Sequence, residues 1–499
     1  ANGKAITAEE AAAPVVFENI TIDDGGSGGK FALSGTGYNQ YNFSMVYVDT
    51  GELSREVQLG ENVVLHNLDY DMSTNIAGST SLSTVWQVGG FALNITSGKV
   101  TLDGAVIEDF SVKNYYHDSS SYSYIDHTSI ISVNGTDAAL EMKEGAIRDN
   151  LLDIKYRRNS LHSNATAILA VANGATFNMS GGEFSGNTLQ GPLWTTPGNS
   201  YTGSADNQRT SVGVICLSGS NSAMTLSGGK ISGNTNRLGI DETPAKNNFG
   251  DVENIITVGT QGSNGGNESS GVYQGCTFTM SGGSITNNTA RYGSAFALLN
   301  GTVTLSGGTI RGNESVAPVP TGGEPTGWKA EYCPIFVSNF RTTRLNLHGS
   351  GCVADDPFYL QPGRQIVLTD QLRQTNRLYE IYTGTGATPA GNLVVIPDGD
   401  VILDATAYLH NFHAHAAGMV LDRGRENIQV TTQLGQMNEQ KCLVQMKAVF
   451  VNGDKGTDPD SVDLSVPQNT LGRNTDDPVQ TFDAAKAIGQ ALCYEGEDP

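Results

Sequence analysis

Apolar residues fall at every second position in a set of short segments that share one frame. Residues 176–188 read TFNMSGGEFSGNT, 223–235 AMTLSGGKISGNT, 277–289 TFTMSGGSITNNT and 302–313 TVTLSGGTIRGN. Phe177 and Met179, Met224 and Leu226, Phe278 and Met280, and Val303 and Leu305 hold the alternate positions, which turns one side of a β-strand inward. Two glycines follow each strand, where a chain that turns sharply needs φ > 0. One more buried apolar residue and then an asparagine close the frame. Looser copies precede these at 100–109 (VTLDGAVIED) and 140–150 (LEMKEGAIRDN). Repeated strands with a corner in each mark a solenoid, whose coils bury themselves only against their neighbours. The pattern therefore predicts an all-β fold, a right-handed parallel β-helix with long loop insertions on one side and a short helical cap.

Four regions follow from how regular the frame is. Residues 1–98 form an N-terminal cap and irregular coils, with strand-like runs at 15–22, 43–48 and 63–68 and a short helix over 7–13 that covers the open end. Residues 99–354 form the regular coils. A second strand precedes each copy of the frame, at 130–133, 168–171, 212–217, 295–299 and 335–337. The coil from Thr277 to Thr302 spans about 25 residues, near the minimum for three short strands and three corners. Extra residues in the other coils enter after the asparagine and before the next strand, at 111–128, 151–166, 189–210, 236–271 and 314–332. Insertions at one point of successive coils emerge on one side of the solenoid. Residues 355–447 read as broadened terminal coils with strands at 366–369, 378–382, 393–396 and 401–403. Residues 448–499 hold a strand, an acidic loop and a helix over 483–492.

Composition narrows the partners. Among 499 residues, 29 Lys and Arg face 51 Asp and Glu, a net charge of −22, which repels nucleic acid and anionic membrane alike. No cofactor is implied, although the acidic balance is compatible with Ca2+ and with neutral sugars. No apolar run approaches the roughly 18 residues of a membrane helix, so no membrane insertion is expected. With no initiator Met and no signal peptide, the chain is expected to be a mature or excised fragment. Six cysteines are too few for a disulfide framework in a chain of this length. Cys216 and Cys276 read as small buried hydrophobes, while Cys333 with Cys352 and Cys442 with Cys493 are candidate pairs if the protein is secreted.

The SGG-x-I-x-x-N coils resemble those of large β-helix surface proteins of Gram-positive gut and oral bacteria, within the wider pectate-lyase-like superfamily. The stretches VFVNGDKGTDP (449–459) and DDPVQTFDAAKAI (476–488) are similar to the opening of such modules. The resemblance covers about two thirds of the chain. It implies an extracellular location, secreted or cell-wall attached, and one module of a longer multi-module chain. It is specific for fold and weak for activity, because the same coils occur in adhesin-like stalks, polysaccharide lyases and glycoside hydrolases.

Loops on a rigid scaffold carry function disproportionately, and the insertions hold suggestive residues. Aromatic faces that can stack on sugar rings come from Tyr115, Tyr116, Tyr122 and Tyr124, from Trp194 and Tyr201, from Tyr292, and from Trp328 and Tyr332. The same rings would equally serve to cover their own loops. Asp126, His127, His162, Asp206, Arg209, Glu268, Arg291 and Glu331 stand at loop ends before a strand. A glycosidase needs two carboxyls about 5–5.5 Å apart for retention or about 6.5–9.5 Å for inversion. Asp126 and Asp206 are the first pair to consider, with Glu331, His127 and Arg209 as further candidates; Arg209 or Arg291 would be the base of a lyase. Tyr115, Tyr116, Tyr124, Trp194, Tyr201, Arg291, Tyr292 and Trp328 are the candidate ligand contacts. No metal site is assigned. His410, His413 and His415 read as surface residues, the loop of Asp454, Asp458, Asp460 and Asp463 lacks the EF-hand spacing, and Asn187, Asn234, Asn288 and Asn313 read as a structural ladder.

The leading expectation is a bacterial surface module that binds glycan or a host ligand through a loop-built face. The alternative is a β-helix carbohydrate-active enzyme, a glycoside hydrolase of the lacto-N-biosidase-like kind ahead of a lyase. A passive spacer is the third reading, against which the five insertions stand. Circular dichroism of the purified protein is expected to show β-structure with little helix; a helical spectrum would end the β-helix reading.

Overall fold

The computed structural model describes residues 15–22, 44–66, 69–71, 88–114, 128–154, 166–191, 212–238, 254–259, 275–315, 333–338, 343–349, 353–361, 363–372, 378–383, 392–398, 408, 411–415, 419–423, 428–431, 437–440, 443–447, 454 and 480–486. The chain divides into two compact units, Ala1–Leu345 with Gly351–Asp356, and Asn346–Ser350 with Pro357–Pro499.

The first unit is a parallel β-helix whose regular coils contribute strands to three sheets. In one coil, sheet 1 takes Thr166–Ala172, sheet 2 takes Thr176–Met179 and, past the double glycine, Glu183–Ser185, and sheet 3 takes Thr188–Gly191. Leu169 stands opposite Ile131 and Ile215, Phe177 opposite Leu140 and Met224, and Phe184 opposite Ile147 and Ile231, all in parallel register. Parallel register stacks like on like, so the core is a set of columns. One of them, Val100, Leu140, Phe177, Met224, Phe278 and Val303, is buried throughout. The right hand expected from the sequence is the one that such crossovers take in about 98% of cases.

Sheet 1 differs from sheet 2. Phe296 faces the core, its ring 5.9 Å from that of Phe278, so Ile215 and Ile256 in its column do too. Yet the residues that alternate with them, Cys216, Thr257 and Ala297, are also fully buried. Burial on both faces removes the alternation and leaves runs such as ILAV and VICL.

Two details of the loops differ from the sequence expectation. The residues after the asparagine do not open the insertions directly; they form sheet 3, as Ser111–Asn114, Leu151–Ile154, Thr188–Gly191, Thr235–Leu238, Thr289–Ala290 and Glu314–Ser315. Strands of two to four residues are too short for a period to show. The long insertion at 236–271 also contains a sheet 1 strand, Ile256–Val258, paired with both neighbouring coils. Its second part, 260–274, therefore enters at a different corner, between sheets 1 and 2.

The double glycine answers two separate demands. A Cβ on the first glycine, at Gly181, Gly228, Gly282 or Gly307, would lie 2.0–2.3 Å from a carbonyl oxygen of the coil before. The second, at Gly182, Gly229, Gly283 and Gly308, has φ between 69° and 86°. A similar left-handed residue precedes each asparagine corner: Asp149, Gly186, Gly233, Asn287 and Gly312 have φ of 56–66°. Only Gly, Asn and Asp adopt that conformation readily.

Behind that residue runs the asparagine ladder. The side-chain amide of Asn150 donates to Asn187 Oδ1 at 2.8 Å, Asn187 to Asn234 at 2.9 Å, Asn234 to Asn288 at 2.9 Å and Asn288 to Asn313 at 2.8 Å. Each Oδ1 also accepts the main-chain N–H of the preceding asparagine, at 2.9–3.2 Å. Each amide gives its other hydrogen to a carbonyl of the coil before, such as Ile147 O from Asn187 at 3.0 Å. The structural role expected for this row is thus what the geometry provides. The last rung is an aspartate: Asp356 accepts from Asn313 Nδ2 at 2.6 Å, Asn313 N at 3.1 Å and Gly312 N at 2.8 Å.

The second unit mixes parallel and antiparallel pairs. Phe358–Leu360, Tyr379–Thr383 and Phe412–His415 pair in parallel, with Tyr379 edge-on to Phe358 at 6.0 Å and stacked on Phe412 at 5.5 Å. Leu443–Lys447 runs antiparallel to Asn392–Pro397 and to Met419–Arg423, and Ile428–Thr431 pairs antiparallel with Met437–Gln440. A helical turn covers 482–486, with the main-chain N–H of Ala484 donating to Thr481 Oγ1 at 3.2 Å as an N-cap. The helix expected over 7–13 and the strand expected over 401–403 lie outside the described residues.

Two outcomes are expected. Asn234→Ala strands the two Asn187 N–H groups that Asn234 Oδ1 accepts; at about 1–3 kcal/mol for each buried unsatisfied group, the loss should reach at least about 2 kcal/mol by urea denaturation. A change under about 0.5 kcal/mol, the level of an ordinary surface substitution, would show that the ladder contributes nothing. Burial holds the Asp356 carboxyl above its ordinary value of 3.8, its three donors acting the other way. A raised folded value means that stability is fully present below the unfolded value and is lost as pH rises through the folded one. The parent should therefore gain stability relative to Asp356→Asn as pH falls from neutral toward 3.8; thermal melts across that range that keep a constant gap would contradict it.

Candidate functional site

Five insertions connect a sheet 3 strand to the next sheet 1 strand and so share one corner, while 260–274 connects sheet 1 to sheet 2. Sheet 3 strands end at Asn114, Ile154, Gly191, Leu238, Ala290 and Ser315, and the sheet 1 strands that follow in the chain begin at Thr128, Thr166, Val212, Ile256, Phe296 and Ile335. Because sheets 1 and 3 are in parallel register, these exits and entries stack at the strand spacing of about 4.8 Å. The coil at Thr289–Ala290 alone among them passes to sheet 1 with a five-residue link, Arg291 to Ala295.

Most of the residues singled out from the sequence lie outside the described residues: Tyr115, Tyr116, Tyr122, Tyr124, Asp126, His127, His162, Trp194, Tyr201, Asp206, Arg209, Glu268, Trp328, Tyr332 and Glu331. What the structure places is the strand to which each leads. The strands after Asp126 and Asp206 are separated by one other, Thr166–Ala172, so their starts are roughly 9.6 Å apart at two strand spacings. That is the outer limit of the inverting range. The strand after Glu331 is three further on, roughly 14 Å from that after Asp206. Arg291 and Tyr292 are described. Arg291 is 3% exposed, and Tyr292 is half-buried with its ring edge-on to Phe336 at 6.2 Å.

Sheet 3 supplies a feature that the sequence reading misses. Its core-facing residues Val112, Leu152 and Leu189 alternate with an outer column that runs Lys113, Asp153, Gln190 and Arg237, each opposite the next. In the following coil Thr289 stands opposite Thr235, and Arg291 lies two residues on, as Arg237 does from Thr235. Asp153 is buried, Lys113 and Gln190 are half-buried and Arg237 is exposed. The signal was present: Asp153, Gln190, Arg237 and Arg291 each follow a ladder asparagine by three positions. The column sets Lys113, Asp153, Gln190 and Arg237 at regular steps beside the roots of the insertions, with Arg237 its exposed member. Those groups suit the hydroxyl, carboxylate and amide chemistry of a polar ligand.

Other chemistry is limited among the described residues. Cys216 and Cys276 are fully buried, and burial pushes both thiols up, Cys276 to about 12; neither is a nucleophile at neutral pH. Cys276 Sγ lies 3.2 Å from Gly219 O as a donor. Cys333 is buried, and Cys352, Cys442 and Cys493 lie outside the described residues. No group of three or more His, Cys, Asp or Glu converges as a metal site among the described residues. His413 and His415 lie on a strand, Asp454 is exposed, and His410, Asp458, Asp460 and Asp463 are outside the described set. No described helix is long and apolar enough to cross a membrane. Compared with protein-family models, curated proteins and solved structures, the chain matches none.

Proposed function

We propose that this chain is an extracellular bacterial β-helix module that binds glycan or a host surface ligand through the face built by its insertions. The observation that carries the reading is the coincidence at one corner: insertions root there in coil after coil, beside the column Lys113, Asp153, Gln190 and Arg237. A spacer has no need of either. The likeness of the SGG coils to surface proteins of Gram-positive bacteria supports the location and the place of this module in a longer chain. The aromatic content of the insertions, Trp194 and Trp328 among them, supports a glycan.

A carbohydrate-active enzyme is the second reading. In its favour, the strands after Asp126 and Asp206 start about two strand spacings apart, near the separation that an inverting pair uses. A glycan-array screen followed by product analysis of every bound glycan separates the two. Binding without turnover, abolished by Trp194→Ala and weakened about tenfold by Arg237→Gln, is the expected result. Release of a smaller sugar, lost in Asp126→Asn or Asp206→Asn, would make the protein a glycoside hydrolase. Silence in both assays would leave a protein ligand or a spacer.

A further inference from the structure

The inner column of sheet 3 changes character along the solenoid. It runs Val112, Leu152 and Leu189, then Asn236, with Ala290 and Ser315 in the next two coils. Asn236 is as fully buried as the leucine before it. Across the corner, Asn254 and Ser294 each stand two residues before a sheet 1 residue of one register pair, Ile256 and Phe296, and both are fully buried. Asn236 Nδ2 donates to the Asn254 carbonyl at 2.8 Å, and the hydroxyls of Ser294 and Ser315 are 3.3 Å apart. At Asn236 and Ser315 the inner column thus carries an amide and a hydroxyl where Val112, Leu152 and Leu189 carry hydrocarbon.

One atom in this corner is unanswered. Asn254 Nδ2 donates to Thr257 Oγ1 at 3.4 Å, but Asn254 Oδ1 is buried without a hydrogen-bond partner. Buried amide atoms are almost always satisfied, by protein or by ordered water.

We propose that one internal water molecule occupies this corner and donates to Asn254 Oδ1. Water both donates and accepts, so the same molecule can serve the amide and the serine hydroxyls of the neighbouring coil, and buried waters typically make about three such bonds. A bare cation is disfavoured, because the buried Arg291, between Ala290 and Ser294 in the chain, already brings positive charge to this corner. The site also has a consequence for the loop face. The Asn236–Asn254 bond joins the two ends of the insertion 239–253, so the water completes the clamp from which that insertion leaves the solenoid.

Two measurements on the full chain test this. A high-resolution crystal structure is expected to show a solvent peak about 2.7–3.2 Å from the Asn254 amide; a dry corner, or a protein atom in that place, overturns the proposal. Asn254→Leu is close to isosteric. If the water is there, leucine expels it and forfeits the Thr257 bond, and the urea midpoint falls. If the corner is dry, leucine loses the same long 3.4 Å Thr257 bond but also removes an unpaired buried oxygen, whose cost outweighs that bond, and the midpoint rises, which also overturns the proposal. The crystal structure of the parent decides the matter even where the leucine variant does not fold.

Discussion

The first unit depends on one repeated hydrogen bond, the amide of one asparagine to the amide of the next. In the column from Asn150 to Asn313 each inner Oδ1 takes two donors and each Nδ2 gives two hydrogens. Every valence of a fully buried amide is used, and in a medium of low dielectric such a satisfied chain is strong while a broken link is expensive. The bond also fixes register. Successive rungs are 37, 47, 54, 25 and 43 residues apart, yet each lands at the same position of its coil. Loop closure entropy grows slowly with length, so the insertions can vary while the ladder restores alignment after each. The double glycine serves the same end, because a Cβ at its first position would meet the coil before.

A ladder with one direction must end on a group that only accepts. Phe110 begins it with a main-chain N–H to Asn150 Oδ1 at 3.1 Å, and Asp356 ends it with two oxygens that take three hydrogens. An asparagine at 356 would turn a donor toward one of those hydrogens. The aspartate therefore carries a buried charge in exchange for a closed end. The second unit is held differently, by a column of rings, Phe358, Tyr379 and Phe412, and by antiparallel pairs around Leu443–Lys447.

Strict register is also what makes a site from residues far apart in the chain. Once the ladder places each coil, any residue at a fixed offset from its asparagine joins a column about 4.8 Å in step. Leu152, Leu189 and Asn236 form one such column on the inside, and Asp153, Gln190 and Arg237 another beside the insertion roots. The inside column turns polar at Asn236, next to the exposed Arg237 of the outer one.

The sequence alone determined the kind of fold, the strands of sheets 1 and 2, the double-glycine corners and the ladder from Asn187 to Asn313. These are local or periodic features: alternation, φ > 0 at glycine and repetition at a fixed place in a frame are all written within a dozen residues. It did not disclose sheet 3, whose strands are too short to show a period, or the sheet 1 strand Ile256–Val258 inside what reads as a single long loop. Nor did it disclose that Asp356, which no repeat copy contains, closes the ladder, or that Arg291 is buried while Arg237 is exposed. Those facts depend on which coil lies beside which. That is set by pairing between residues 25 to 57 positions apart, and only the stacked solenoid brings them within reach of a hydrogen bond.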